Sequence, residues 1–328
     1  MSYRIGFSLF LVACACVLPS SAQSLVTDIA VPGTPYGIAV NPNNNRIYVS
    51  LSTSTGPAIG VIDGSTNTVV DTVATSQGSS LVAVNIATGR VYAAGCNNNQ
   101  TPACGVTVID GTSDTVIAII PINGPANGIG VQGIAVNPVT NQIYVSDDLN
   151  YELEVIDGNT NTASYMNTGK AEMLGLAVDF GTNQILGTPS GDVLDIINGT
   201  THAITRVKVG MINQDVAVNS FTSRAYVTDD SGVTNTLGVI NLNAQKVIAN
   251  IPIGTGAFGV SVDYLSNLVF VAVQNTDGNG NVAEVDGKTN TVKGTVSANA
   301  QYVDVNPATR LVYASDNFLT SVVHVISE

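Results

Sequence analysis

The chain has 328 residues, of which 24 are Asp or Glu and 11 are Lys or Arg, giving a formal net charge of −13. That balance argues against docking on a nucleic-acid backbone. Charged residues are only 11% of the chain, against roughly 25% in an average soluble domain. Two His, four Cys and no Trp leave little material for a His-rich metal site or a Trp-lined sugar platform.

Residues 1–22 read as a secretory signal: a short basic start ending at Arg4, an apolar run from Ile5 to Leu18, and the small-residue close Pro19-Ser20-Ser21-Ala22. The run is shorter than the ~20 residues a spanning helix needs, and no later segment approaches that length without turn residues, so no transmembrane segment is expected. Leu11-Val12-Ala13-Cys14 resembles the lipid-attachment box of bacterial lipoproteins. Apolar sequence continuing past Cys14 to Leu18 favours an ordinary signal cut near Ala22. The expected location is extracytoplasmic: periplasm, cell surface or medium. A cut there leaves Cys96 and Cys104, an even pair that reads as a loop-closing disulfide in an oxidising compartment.

Beyond the signal one phrase recurs along the chain. It is clearest as GIAVNPNNNRIYVS (37–50) and GIAVNPVTNQIYVS (133–146), with weaker copies at 81–94, 175–188, 215–228, 259–272 and 302–315. Its Asn or Asp anchors are Asn41, Asn85, Asn137, Asp179, Asn219, Asp263 and Asn306, spaced by 44, 52, 42, 40, 44 and 43 residues, which is the period of a propeller blade. Each copy divides into four short β-branched runs separated by turn residues. In the first repeat these are Gly37 to Val40, Arg46 to Leu51, Ile59 to Ile62 and Val69 to Val73. Asp-Gly turns recur at Asp63, Asp110, Asp157 and Asp286. The expected fold is all-β: a single seven-bladed β-propeller domain over residues 23–328, with four antiparallel strands per blade. The last repeat supplies only three strands, ending with Val322 to Ile326, and Leu25 to Val31 is expected to complete that sheet and close the ring.

The phrases Arg46-Ile47-Tyr48-Val49-Ser50, Gln142-Ile143-Tyr144-Val145-Ser146 and Arg224-Ala225-Tyr226-Val227-Thr228, each following an AVN phrase, resemble the YVTN β-propeller repeat family. The fourth copy departs from it, with Leu186 in place of the aromatic and Asn198 in place of the turn Asp. The resemblance covers essentially all of the chain after the signal. It implies an exported bacterial or archaeal propeller, with relatives that include binding modules, one type reported to bind DNA, and propellers like those of lactonases and cofactor enzymes. A shared fold does not choose among these.

The aromatic repeated in the second strand (Tyr48, Tyr92, Tyr144, Tyr226, Phe270, Tyr313) reads as packing between blades, and the small residues Ala39, Ala83, Ala135, Ala177 and Ala217 as fitting where inner strands converge. Arg46, Arg90, Arg224 and Arg310 at second-strand starts are expected to pair within their own blades, near the third-strand Asp residues. Neither His202 nor His324 joins a constellation that chemistry would need.

Departures from the repeat are the better site candidates. The inner-to-second-strand turns and the Asp-Gly turns share one face of the ring, the lower; the opposite loops vary and gather acids, so Asp147, Asp148, Asp229, Asp230 and Asp304 are the candidate ligand-binding residues. Neutralising the acids of the upper loops is expected to weaken a cationic partner with little loss of stability. Asp304 stands where other inner strands carry Ala or Ser261. Asp277, Asn279 and Asn281 match the oxygen-rich start of a calcium loop but lack the full EF-hand pattern. No cofactor is required by the sequence, and a calcium ion is the one candidate. The leading reading is a non-enzymatic, monomeric binding or interaction scaffold whose partner is an unknown protein, a cell-surface component or a cationic ligand. The alternatives are an extracytoplasmic lactonase-like hydrolase or lyase, for which carboxylates are available but His is scarce, and a nucleic-acid-binding propeller, disfavoured by charge.

Overall fold

The computed structural model describes residues 23–78, 80–97, 104–122, 131–147, 152–169, 173–233, 235–274, 279–316 and 320–328. Residues 1–22, read above as a secretory signal, lie outside these residues. Among them, seven antiparallel four-stranded sheets form a seven-bladed β-propeller, and no helix is long and apolar enough to cross a membrane. The inner strands of blades 1 to 7 are Thr34–Asn41, Leu81–Asn85, Val131–Asn137, Met173–Asp179, Asn213–Asn219, Ala257–Asp263 and Tyr302–Asn306. In blade 1 the remaining strands are Arg46–Thr53, Gly56–Asp63 and Thr68–Ala74, each longer than the apolar run that announces it.

A strand that pairs on one side and packs on both faces needs neighbouring blades to cover it. Accordingly, the described buried apolar residues fall into seven clusters, one at each junction between blades. Tyr48, Tyr92, Tyr144, Tyr226, Phe270 and Tyr313 are fully buried there. Leu186 fills the equivalent place between blades 4 and 5.

Three polar ties repeat around these cores. At the lower end of every inner strand the anchor Oδ1 accepts from the backbone N–H two residues on, forming the turn to the second strand. Where the next blade carries Asn at the left-handed turn position, the anchor is Asn and its Nδ2 donates to that residue's Oδ1: Asn85 to Asn141 (2.7 Å), Asn137 to Asn183 (2.9 Å), Asn219 to Asn267 (2.7 Å) and Asn306 to Asn45 (2.7 Å). Where the next blade offers Ser223 or Arg310, the anchor is an Asp that accepts from a hydroxyl of its own turn, Asp179 from Thr182 and Asp263 from Ser266. At the upper end, hydroxyls of the second strand donate to a carbonyl just ahead of or within the next inner strand: Ser50 to Ser80, Ser146 to Met173, Thr188 to Gln214, Thr228 to Phe258 and Ser315 to Tyr36. The third tie corrects the expected pairing within blades. Arg90 and Arg224 reach the Asp-Gly turn of the following blade, donating to the carbonyls of Gly158 and Gly287, because strand starts and turns of adjacent blades meet on the lower face.

The ring closes as expected. Ser24–Ala30 pairs antiparallel with Val322–Ser327, so both ends of the described chain share one sheet. Asp28 Oδ1 lies 2.7 Å from His324 Nδ1 across this seam, giving His324 a part in closure. Cys96 and Cys104 are joined by a disulfide (S–S 2.05 Å) at facing positions of the blade 2 hairpin. The chain between them lies outside the described residues.

Deleting residues 23–30 leaves Val322–Ser327 as an open edge and removes Ile29 from the core between blades 7 and 1. The variant is expected to melt several degrees lower and to aggregate with rising concentration, measured by calorimetry and light scattering; a monodisperse variant of unchanged melting temperature would refute this account of closure.

Candidate functional site at the upper channel mouth

Each inner strand pairs with its second strand along one edge, and its other edge faces the ring axis. The seven edges enclose a channel with a cavity of about 290 Å³. The first repeat position of these strands lies toward the upper face, where Gln132, Gln214 and Gln301 line the entrance.

That first position is not uniform. It reads Gly37, Leu81, Gly133, Gly175, Asp215, Gly259 and Tyr302 around the ring. Glycine is required where strands approach most closely: a Cβ on Gly175 would stand 2.6 Å from the Asp215 Cα, and one on Gly259 would stand 2.9 Å from the Tyr302 Cα. The larger residue then follows the glycine and projects from a backbone already drawn in.

Asp304 lies two residues further along its strand, about 7 Å deeper at ordinary strand rise. It draws three blades together. Its Oδ1 accepts from Ser261 Oγ in blade 6 (2.7 Å) and from its own neighbour Val305 N (2.9 Å), and its Oδ2 accepts from Val40 N in blade 1 (2.8 Å). Asp215 repeats the device between blades 5 and 6, accepting from Val216 N (2.8 Å) and Val260 N (3.1 Å). Both side chains are packed around by protein yet keep some accessible surface, because the surface they touch is the channel wall. Burial pushes the Asp215 carboxyl up to about 6 against the pull of its two backbone donors. It raises Asp304 as well, against its Ser261 and backbone donors. Among the described residues no Lys, Arg or His lines the channel. Tyr302 packs against the cores between blades 7 and 1 and between blades 2 and 3, so its ring reaches across the channel. Its hydroxyl is pushed up to about 12 by burial, reinforced by Asp215 and Tyr36.

The structure distributes the residues singled out in the sequence differently from a single acidic face. Asp304 is in the channel. Asp229 ends a second strand but is buried, its Oδ1 accepting from Ile212 N (3.1 Å) and Ser231 N (3.0 Å) and its Oδ2 from Met211 N (3.3 Å). It orders two upper loops, so the expectation that it can be neutralised at little cost is corrected. Asp316, at the same repeat position, is likewise buried and accepts from Thr320 Oγ1. Asp230 is half-buried beside Gln214, with its carboxyl raised by burial and by Asp229. Asp147 ends its strand with only its backbone described, and Asp148 and Asp277 lie outside the described residues. Asn281 is inside the third strand of blade 6, with Asn279 just ahead of it. Among the described residues no three His, Cys, Asp or Glu side chains gather as a metal site would need.

Two features escaped the sequence reading. Asp215 is not among the acids singled out above, although its place in the glycine row marks it as a channel residue. On the lower face, the turn tips of blades 4 to 6 carry Phe180, Phe221 and Tyr264 in ring contact, with centroids 6.1 and 5.6 Å apart and Phe221 68% exposed. The signal was an aromatic residue one or two positions after an anchor. No protein-family model matches the chain, and no match is found among curated proteins.

Asp229→Ala is expected to lower stability by about 2 kcal/mol, since it leaves three loop N–H groups without their acceptor. Equilibrium denaturation checks this; a loss within experimental error would contradict the buried geometry. The acids also set a pH dependence. Groups raised by folding, Asp215 to about 6 and Glu328 to about 8 by burial and the nearby Asp263, favour the fold while protonated, so their contribution is present below about pH 4 and is lost as pH rises through those values. Asp63 and Asp110, lowered by the Ser65 hydroxyl and the Thr112 N–H respectively, lose their contribution as pH falls below the ordinary carboxyl range. Melting temperature should therefore decline above about pH 5, and Asp215→Asn should flatten the first part of that decline.

Proposed function

We propose that this chain is an exported, non-enzymatic binding scaffold of the YVTN propeller type, and that it holds its ligand at the upper mouth of the channel. The observation that carries the reading is the breaking of sevenfold regularity there. Asp215 and Tyr302 stand where four other blades carry Gly and one carries Leu81, Asp304 stands where the others carry Ala or Ser261, and Gln132, Gln214 and Gln301 stand above them. Symmetry accounts for neither set, whereas a cavity with a few convergent polar groups and shifted carboxyls has the character of a ligand site. The ring supplies rigidity, and the variable upper loops surround the entrance. Export is supported by the leader-like first 22 residues and is compatible with the Cys96–Cys104 disulfide.

A thermal-shift panel of small organic cations, neutral polyols and carboxylic acids tests the site. At least one class should raise the melting temperature in a concentration-dependent way. Gln132→Trp, which fills the entrance, should abolish the shift, and Val139→Trp on the lower face should preserve it. A shift that survives the entrance block, or no shift across the panel, would overturn the assignment.

A further inference from the structure

Taking the channel mouth as the binding site, the geometry points to a small organic ammonium ion as the ligand class, its charged head on the Asp215 and Asp304 side of the channel and its hydrocarbon part against Leu81, Ile134 and Leu176.

The charge argument comes first. Two carboxyl groups lie deep in the ring with no Lys, Arg or His among the described residues lining the cavity. A carboxylate in such a place needs a counter-charge or must hold a proton. Their existing partners are backbone N–H groups and one hydroxyl, which orient the carboxyls but add no full positive charge. A carboxylate has about four acceptor sites. Asp304 uses three and Asp215 two, so each can still accept from an ammonium group.

The shape argument selects an organic cation over a bare metal ion. Calcium takes about six to eight oxygens and magnesium a near-octahedral set. Here the two carboxyls arise from blades 5 and 7 and are tied by their backbone bonds to separate strands, and among the described residues no third acid joins them. The cavity of about 290 Å³ has room for about ten water molecules, more than an ion requires. Apart from three glutamines at the entrance, its polar side chains Asp215, Ser261, Tyr302 and Asp304 all come from blades 5 to 7, while apolar residues line it from every blade, Leu81, Ile134 and Leu176 of blades 2 to 4 among them. The Tyr302 ring, reaching across between them, offers a face to a cation. An ammonium head with a short alkyl chain matches charge, size and polarity together.

Proton linkage follows from the same arrangement. The titratable groups facing Asp215 are Tyr302, whose hydroxyl burial holds neutral, and, beyond it, Tyr36, with Asp304 deeper and Asp230 at the rim through Gln214. Bringing in a cation displaces the proton that burial favours on Asp215, so affinity should strengthen as pH rises through about 6.

The experiment is calorimetric titration of the protein with n-butylammonium chloride, 1-butanol and calcium chloride at matched ionic strength, at about pH 7.5 and about pH 5.5. Butylammonium should bind at least about tenfold more tightly than 1-butanol. Its affinity should fall at least about threefold at the lower pH, with proton release visible as a dependence on buffer ionisation enthalpy. Asp215→Asn should weaken it about tenfold or more. If Asp304→Asn fails to fold, the comparison with 1-butanol and the pH dependence still decide. Equal binding of 1-butanol, preference for calcium, or no binding of butylammonium would each overturn the inference. Binding of a neutral probe that Gln132→Trp abolishes would reject the cation while keeping the mouth as the site. Butylammonium binding that persists in Gln132→Trp would reject both.

Discussion

The close approach of neighbouring inner strands is the constraint from which the rest of this ring follows. Seven strand edges must share the space around one axis, and the glycine row marks where backbone nearly meets backbone, as Gly175 does at Asp215. Once the inner strands are drawn together, the blades splay outward and the wedges between them must be filled. The buried Tyr row fills them. Polar ties at either end of the wedge then fix the register of each blade on the next: anchors and Arg side chains below, hydroxyls above. No blade covers its own faces, so stability belongs to the junctions.

The same constraint makes the channel a chemically unusual place. Inner-strand edges present backbone N–H groups toward the axis, and Asp215 and Asp304 together satisfy four of them. A carboxyl suits this task because its two oxygens can bridge N–H groups on adjacent blades. The cost is placing an acid among protein atoms without a basic partner, which displaces its protonation toward neutrality. Structural clamp and chemical site are thus the same groups, and the local stability of the ring is coupled to whatever occupies the axis.

Much of the architecture was legible because repetition separates constraint from accident. Seven anchors 40 to 52 residues apart, an aromatic in six of the seven blades and a last repeat short of one strand were enough to expect the ring and its closure. The Cys pair was legible from its spacing and from the leader-like first 22 residues, which point to an oxidising compartment. What could not be read was direction. Asp229 and Asp215 are both acids near the upper end of a blade, yet Asp229 turns inward to order loops while Asp215 faces the axis. Only the packing of adjacent blades distinguishes them. Arg90 was misassigned for the same reason, since a one-dimensional repeat suggests partners within the repeat while the ring brings the next Asp-Gly turn closer. The apolar lower tips Phe180, Phe221 and Tyr264 were missed because adjacency between blades is invisible along the chain.

The matching of anchors to turn residues divides the junctions into kinds. An Asn anchor meets an Asn at four junctions, whereas the Asp anchors occur where the following turn presents Ser223 or Arg310. The repeats are therefore not all interchangeable tiles. Exchanging blade 5 with blade 1 would set Asp179 against Asn45 and Asn306 against Ser223, whereas exchanging blades 1 and 3 would preserve every kind of pairing. Opening the circle at another loop while joining its present ends would keep every neighbour in place. The lower rim thus restricts which blade can follow which, independently of where the polypeptide starts.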